Sequence, residues 1–496
     1  MCRTHRSTSA SMRRFTSPGA CMRTASVELW FQDSIVPPAA VGRRCPSKVE
    51  MGAPAGHTQG GPRARPSPLH PCAVHPGMPS LGRVNALSRL LIACLWCGTA
   101  CVRRDFPEQL RVRDHVPSSG PGLSLALYQS VGIGLRPGHG VELVQDERIL
   151  DTLEEEIREA RESIHLLLAR WEPGDASRRL VQALAARRPD VVCRILVDPL
   201  QSPAFKEQVE SELVRAGCEV RAFRPFIGQE VVFADSRLEA RNHRQLVIRD
   251  GRGGLTGGFG AVAPRGGTRD THVHVEGPAV RQLQQSFARD WLEAGGGLLP
   301  ESAFPALDSQ GQARAGFIAS TGSPSLSHSE RMVQVLLASA QHRLWLTNAC
   351  FVPTPATVDT LIHKAKSGVD VRILVPGLEG TDTSASVLAA QRSSYERLLE
   401  NGVRLWEYQR APLESRTVLV DDHLVAVGST NLQAHASALL EEGALVVEDG
   451  PLAHSLATSF ERDLSQAVEI RKEQWRERGW FQRFTYRLPP SAAGCR

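Results

Sequence analysis

One segment occurs twice in this chain, and that repetition constrains the fold more than any other feature. The first copy runs Gln245-Leu246-Val247-Ile248-Arg249-Asp250, with Gly257-Gly258 behind it. The second runs Arg416-Thr417-Val418-Leu419-Val420-Asp421, with Gly428-Ser429 behind it. The aspartates are 421 − 250 = 171 residues apart. Each apolar run bounded by turn residues reads as a buried strand. The approach to each copy repeats too. Helical spacing over 149–160 (Ile149, Leu150, Leu153, Ile157) precedes strands at 164–168, 191–197 and 219–223, with helices at 176–186 and 211–216 between them. The later series has helices at 330–340, 358–366 and 394–401 and strands at 344–348, 368–376 and 402–408. The alternation predicts an α/β protein of two tandem α/β/α sandwich domains, 141–310 and 311–480, with pseudo-twofold symmetry and a tail at 481–496. Two copies of one unit place a shared site at their interface.

Length and composition agree with that plan. The chain has 496 residues, 42 % apolar and 22 % charged, which excludes wholesale disorder. No stretch reaches the ~18 apolar residues of a spanning helix, so a polytopic membrane protein is excluded as well. The net charge is +5, but residues 1–77 carry ten Lys+Arg and three acids, or +7, leaving 5 − 7 = −2 for the rest. A near-neutral body offers no global field for nucleic acid. Beyond position 101 the cysteines are Cys193, Cys218, Cys350 and Cys495, too scattered to predict a disulfide framework or a paired-cysteine metal site.

The first hundred residues read as something other than fold. Residues 1–77 are rich in Arg, Ser, Pro and Gly without hydrophobic period, a disordered or non-native extension. Met78 opens a secretory pattern over 78–101: Arg83 and Arg89, then the apolar Leu90-Leu91-Ile92-Ala93-Cys94-Leu95-Trp96, then Gly98-Thr99-Ala100 before Cys101. This predicts export to the cell envelope or periplasm, with Met78 as the start. The ending resembles a lipoprotein box, with Cys101 as the acylated residue, although Gly98 stands where a leucine is usual. Residues 102–140, with Pro107, Pro117, Pro121 and Pro137, read as a linker.

The paired segments resemble the two HxKxxxxD motifs of the phospholipase D superfamily, and their surroundings resemble bacterial cardiolipin synthases. Arg241-Asn242-His243-Arg244-Gln245 is similar to the lead-in of that family's first motif. The phrase Asp270-Thr271-His272-Val273-His274-Val275-Glu276-Gly277, followed by Phe287 and Trp291, is similar to what comes next there. Asn348-Ala349-Cys350-Phe351-Val352-Pro353 and Gly428-Ser429-Thr430-Asn431-Leu432 resemble the second-half strand exit and the turn after the second motif. The resemblance covers about residues 141–470, in the family's order. It implies the tandem phospholipase D-like fold, an anionic phospholipid substrate or ligand, a membrane surface and no metal or organic cofactor.

The departures fall on the chemistry. The first motif keeps His243 and Asp250 but has Gln245 at the lysine position. The second keeps Asp421 but has Glu414 at the histidine position and Arg416 at the lysine position. Gly260 replaces one of the paired asparagines; Asn431 keeps the other, and Glu442 matches the family's acidic residue. By the resemblance, one histidine attacks phosphorus to form a phosphohistidine, and the second protonates the leaving alcohol and then activates the acceptor. His243 is then the nucleophile, and Glu414 is the acid if burial raises its pKa. Asp250 and Asp421 complete the catalytic set. Gln245, Arg416, Asn431, Ser429 and Gly258 hold the phosphoryl oxygens, and Glu442 supports them. A lost acid costs about 10²–10⁴ in rate, so this set implies weakened phosphatidyl transfer or phospholipid cleavage.

Other readings stay open at this stage. Glu414 and Arg416 also fit a solvated ion pair at a strand end, and Asp250 and Asp421 fit caps of the turns before their glycines. His272 and His274 share one strand face, but two ligands without a third do not make a metal site. His423 and His435 have no motif around them. The whole chain equally fits a pseudoenzyme that binds phospholipid or a protein partner, or a nucleic-acid phosphodiesterase.

Overall fold

A computed structural model of the chain describes residue 112 and residues 115–225, 241–258, 267–321, 327–377, 385–433 and 440–478. The secretory pattern at 78–101, Gly260, His435 and the residues from 479 onward lie outside the described residues.

Regular structure begins earlier than the prolines of 102–140 suggest. Helix α1 (Gly120–Val131) has Pro121 in its first turn, where a missing N–H costs nothing. Leu123, Leu127 and Val131 recur every fourth residue and are buried. The linker reading is therefore corrected for this part: α1 packs on the second half, in one core with Leu336, Leu344 and Val446. Strand β1 (Arg136–Gln145) follows.

In the first half come helix α2 (Glu147–Glu159), β2 (Ser163–Leu168), helix α3 (Asp175–Ala186), β3 (Val192–Val197), β4 (Cys218–Ala222), β5 (Gln245–Arg249), β6 (Gly253–Gly257), β7 (Thr271–Glu276) and helix α4 (Val280–Glu293). The second half holds β8 (Ala313–Ser320), helix α5 (His328–Ser339), β9 (Arg343–Asn348), β10 (Phe351–Val352), helix α6 (Pro355–Lys366), β11 (Asp370–Pro376), β12 (Arg404–Tyr408), β13 (Arg416–Val420), β14 (Leu424–Gly428), β15 (Leu432–Gln433), β16 (Glu442–Glu448), helix α7 (Gly450–Leu464) and β17 (Ala467–Ile470). Short helical turns lie between them.

Fifteen of these strands form one continuous sheet. Its centre is the antiparallel contact of β1 with β8. Outward from there the order is β1-β7-β6-β5-β2-β3-β4 on one side and β8-β16-β14-β13-β9-β11-β12 on the other, with β17 added at the edge. Strand for strand, the two orders correspond. β5 and β13, the motif strands, are each flanked by an antiparallel hairpin partner and by the first strand of a parallel set. The described residues share a core as well: Phe287 and Trp291 of α4 pack in one cluster with Phe317, Trp345, Leu419 and Leu445 of the second half.

Cys193 of β3 and Cys218 of β4 are directly opposite in register and joined by a disulfide, with Cα atoms 4.6 Å apart. A bridge therefore joins two cysteines whose spacing predicted no disulfide framework. Their 25-residue separation hides a pairing that the parallel register creates.

Candidate active site

The leading ends of the two motif strands are brought to one place by two short bridges between the halves. Asn242 pairs with Glu441, and Arg269 pairs with Leu413. Around them His243 N–H donates to the Glu441 carbonyl at 2.8 Å, and Glu414 N–H donates to the Arg269 carbonyl at 2.9 Å. His243 and Glu414 are each one residue past a bridge, at matching places in the two copies.

Buried charges fix this junction. Arg244 is fully buried and donates to Asp290 at 2.5 Å, to Glu441 at 2.7 Å and to the Glu442 carbonyl at 3.0 Å, tying the first motif to the second half. Arg241 donates to the Asp198 carboxylate at 2.6–3.1 Å, and the Asn242 N–H donates to the same carboxylate at 2.9 Å. Arg269 does similar work on the other side, donating to Asp463 and to Asp146. Removing one partner of such a buried pair costs about 3–5 kcal/mol, so the geometry of the site is strongly held. The sequence reading missed Asp198, Asp290 and Arg244, because their partners are distant in sequence.

His243 is buried, and the Gln201 amide donates to its Nε2 at 3.1 Å. Burial first, then the charges of Arg416 and Arg241, hold its pKa down to about 3. At neutral pH the ring is uncharged and Nε2 carries a lone pair, the form a nucleophile needs. Gln245 lies two residues on, buried at the start of β5 opposite Leu168.

Arg416 is the cation at the centre of the site. Its Nε donates to Asn431 Oδ1 at 2.6 Å, one terminal nitrogen donates to the Glu414 carbonyl at 2.7 Å, and the other stands 3.6 Å from Glu414 Oε2. Asn431 N–H donates to Glu442 Oε1 at 3.0 Å, and among the described residues Asn431 Nδ2 finds no acceptor. A small cavity of about 20 Å³, lined by Asn431, Ser329, Glu330 and Thr354, lies beside it. Arg416 and the Asn431 amide thus present donors on one side of the site, suited to phosphoryl oxygens.

Two carboxylates here bind protons more tightly than usual. Burial pushes Glu442 up to about 7, against the opposing pull of the Asn431 N–H and Arg416. Burial also raises Glu414, helped by the negative charges of Asp270 and Glu172 and opposed by Arg416 and Arg170. Arg170 reaches Glu414 Oε1 at 3.6 Å. The Glu414 side chain is 21 % exposed, enough for a bound ester to reach it. The ion pair of Glu414 with Arg416 is present at 3.6 Å, with Arg416 buried and Glu414 mostly so, rather than solvated.

Four expected site residues play other parts. Asp250 and Asp421 were placed in the catalytic set; the structure puts them at the far ends of β5 and β13, roughly 20 Å along the strand from His243 and Glu414. The Asp250 carboxylate accepts the N–H groups of Arg161, Glu162 and Ser163 at 2.7–3.2 Å. Asp421 accepts those of Gln341, His342 and Arg343 at 2.7–3.3 Å. Both sit at φ 54, a left-handed conformation that aspartate tolerates. Each one ties the turn after a motif strand to the start of the neighbouring strand. Ser429 is likewise spent, since its N–H and hydroxyl both bond Gly443.

Gly258 was placed on the phosphate, but its N–H is directed at the Thr271 carbonyl, 3.3 Å away. A Cβ added there would fall 1.9 Å from Asp270 Oδ1 and 2.6 Å from the Glu414 carbonyl. Its role is to make room. Asp270 itself is the residue that the sequence reading passed over. It stands to Glu414 as Glu442 stands to His243, each one place past a bridging residue, and the offset 442 − 270 = 172 nearly equals that of the motif aspartates. Applying the repeat spacing to every acidic residue would have found it.

Among the described residues there is no cluster of three or more His, Cys, Asp or Glu that could hold a metal, and no helix long and apolar enough to cross a membrane.

Residues 333–464 match the family model described as "Cardiolipin synthase, PLD-like domain". The chain is 32 % identical over 300 residues to a cardiolipin synthase of Halalkalibacterium halodurans, covering 58 % of this chain and 58 % of that protein. It is 29 % identical over 423 residues to cardiolipin synthase A of Pectobacterium carotovorum, covering 79 % of this chain and 83 % of the relative. In fold it is similar to the phosphatidylserine synthase of Haemophilus influenzae, with a TM-score of 0.52 at 13 % identity, over 74 % of this chain and 96 % of that one. Residues 333–464 thus form a PLD-like domain of the cardiolipin synthase type, and the chain around that domain is similar to cardiolipin synthases at about 30 % identity.

Proposed function

We propose that the protein is a phosphatidyltransferase or phospholipid-cleaving phosphodiesterase that works through a phosphohistidine on His243. The observation that carries this reading is Arg416, which bonds Asn431, stands 3.6 Å from Glu414 and bears by its charge on the uncharged His243 of the other half. In the first step the Nε2 lone pair of His243 attacks phosphorus and the bond to the leaving oxygen breaks. Glu414, whose hold on a proton is strengthened by burial and by its negative neighbours, delivers its proton to that oxygen. Arg416 and the Asn431 amide carry the charge on the phosphoryl oxygens. In the second step the Glu414 carboxylate takes a proton from the acceptor hydroxyl, which attacks phosphorus and frees His243. Gln245 supplies a neutral donor where the family has a charged one, so the rate is below that of a complete motif pair.

The names of the relatives favour a phospholipid substrate, and the near-neutral body argues against nucleic acid. Export to the cell envelope fits the same reading. The Cys193–Cys218 disulfide belongs to an oxidising compartment, and the pattern at 78–101 supplies a route there.

The test is single-turnover incubation of the purified protein with labelled phosphatidylglycerol vesicles, trapping any covalent adduct. A labelled adduct absent from His243→Ala is expected. No adduct, with vesicles still bound in a flotation assay, would mean a lipid-binding pseudoenzyme instead.

A further inference from the structure

The reactive nitrogen of His243 already has a partner, and that partner comes from outside both motifs. The side-chain amide of Gln201 donates to His243 Nε2 at 3.1 Å, from a turn 42 residues earlier in the chain that leaves β3. A donor on Nε2 places the ring proton on Nδ1 and aims the Nε2 lone pair at the amide.

The backbone of this turn is held on several sides. The Asp198 carboxylate, 1 % exposed, accepts the N–H of Leu200 at 3.0 Å and that of Gln201 at 3.4 Å. The same carboxylate accepts from Arg241 at 2.6 Å and from the Asn242 N–H at 2.9 Å, the two residues before His243. One buried group thus sets both the histidine and the amide that meets it. Ser202 closes the turn. Its N–H donates to the Asp198 carbonyl at 3.0 Å, and its hydroxyl accepts the Trp171 N–H at 2.8 Å and donates to the Ala169 carbonyl at 3.2 Å. Gln201 itself is half-buried, so its side chain can turn while its backbone stays in place.

The bond between the amide and Nε2 cannot last through the reaction. Phosphorus must approach along the Nε2 lone pair to about 3–3.5 Å, which is where the amide nitrogen stands. A rotation about the Gln201 side-chain bonds clears that line. It also leaves the N–H beside the phosphoryl oxygens, which are bonded to the phosphorus that takes its place. This is the side of the site where the motif has the neutral Gln245 at the lysine position.

We propose that Gln201 is a catalytic residue that turns its N–H from His243 Nε2 to one non-bridging phosphoryl oxygen as the phosphohistidine forms, adding from the β3 turn to the donors that the first motif supplies weakly. This rests on the assignment of His243 as the nucleophile. In the step the Nε2–P bond forms and the bond from phosphorus to the leaving oxygen breaks. That oxygen takes the proton of Glu414, and Gln201 keeps both of its amide hydrogens. Before the step the amide holds the ring in the attacking tautomer; during it the same N–H stabilises the charge that grows on the oxygen.

Sulfur in place of oxygen separates this role from a merely structural one, because sulfur is a weak acceptor. Phosphatidylglycerol with one non-bridging oxygen replaced by sulfur exists as two diastereomers, which carry the sulfur on opposite sides of phosphorus. In single turnover on vesicles of the all-oxygen lipid, Gln201→Ala and Gln201→Leu are each expected to slow adduct formation about 10²-fold. On the diastereomer whose sulfur faces Gln201 the same substitutions should cost only a few-fold, and on the other the loss should stay near 10²-fold.

A faster adduct in the Gln201 variants would mean that the amide only shields the nucleophile. An equal loss on all three lipids, or none, would mean that the turn only shapes the site. Either result overturns the proposal and leaves His243 as the nucleophile. If the unaltered protein forms no adduct with the all-oxygen lipid, or His243→Ala forms it as well, the assignment of His243 falls and the proposal with it.

Discussion

The two copies of the motif agree at one end and differ at the other. At the far end, Asp250 and Asp421 share φ 54 and each accepts three N–H groups at the start of the adjacent strand. At the near end the corresponding motif positions differ, His243 in one copy against Glu414 in the other and Gln245 against Arg416. The end that organises the turn is the same in both copies, while the end proposed to meet substrate differs. The difference teaches that half of such a motif is a fold requirement. A surviving aspartate reports that the sheet forms and says nothing of whether the reaction runs.

The sharpest way to break this comparison is to remove one chemical residue from each copy. His243→Ala should abolish the covalent adduct, a loss of at least about 10⁴-fold in single turnover, because the proposed mechanism makes His243 the nucleophile. Glu414→Gln should cost less, about 10²–10⁴-fold, and only when the leaving group needs a proton. If the two variants lost activity equally on every ester, the copies would not have divided the work in this way.

The far end predicts the reverse pattern. Asp250→Ala and Asp421→Ala each strand three N–H groups at a strand start and should lower stability by about 2–4 kcal/mol in denaturant unfolding. Adduct formation by the folded fraction should stay within a few-fold. Asp→Asn at either place keeps an acceptor and a residue that tolerates the left-handed turn, so it should cost less. A large loss of adduct formation at unchanged stability would return these residues to the site.

A further contrast lies at the parallel strands. The first half has a disulfide where registers place Val371 and Val403 in the second. Cys193→Ser with Cys218→Ser should cost about 2–3 kcal/mol, by freeing a 25-residue separation in the unfolded chain, and leave the site intact. Equal melting temperatures with and without reductant would show that the bridge adds nothing to the β3–β4 edge.

Much of this was legible in the sequence, and the exceptions share a cause. The alternating helices and strands and the repeat follow from local spacing. The matching of Glu414 with His243, and of Arg416 with a lysine position, comes from the resemblance to the HxKxxxxD motifs. Helix α1 was hidden by the prolines on either side, although Leu123, Leu127 and Val131 already carried the helical period. Cys193–Cys218, Arg241–Asp198 and Arg244–Asp290 became visible only when strands from distant segments lay side by side. Asp270 was quoted within a motif yet left unassigned, because its meaning comes from the acid it faces across the halves. Pairing in register, rather than residue type, carries that information.

The smallest effect is the most specific to the comparison, since the two sides of the site titrate in opposite directions. Between about pH 6.5 and 3 the unfolded chain protonates the residue at 243 while the folded site refuses the proton, so this term loses stability as pH falls. Glu442 does the opposite: held at about 7, it keeps a proton when folded that the unfolded chain releases above about 4.5, so its term loses stability as pH rises. From pH 6.5 to 5 each term amounts to about 2 kcal/mol, and they offset one another. Relative to the unaltered protein, His243→Gln should therefore gain about 2 kcal/mol over that interval and Glu442→Gln should lose about as much, measured by denaturant unfolding at the two pH values. Arg416 acts on both groups, depressing His243 and restraining Glu442. Arg416→Gln should accordingly raise both affinities. If the His243 and Glu442 variants instead kept a constant difference from the unaltered protein at both pH values, the nucleophile would not be held neutral by its surroundings, and the division of roles between the two copies would lose its physical basis.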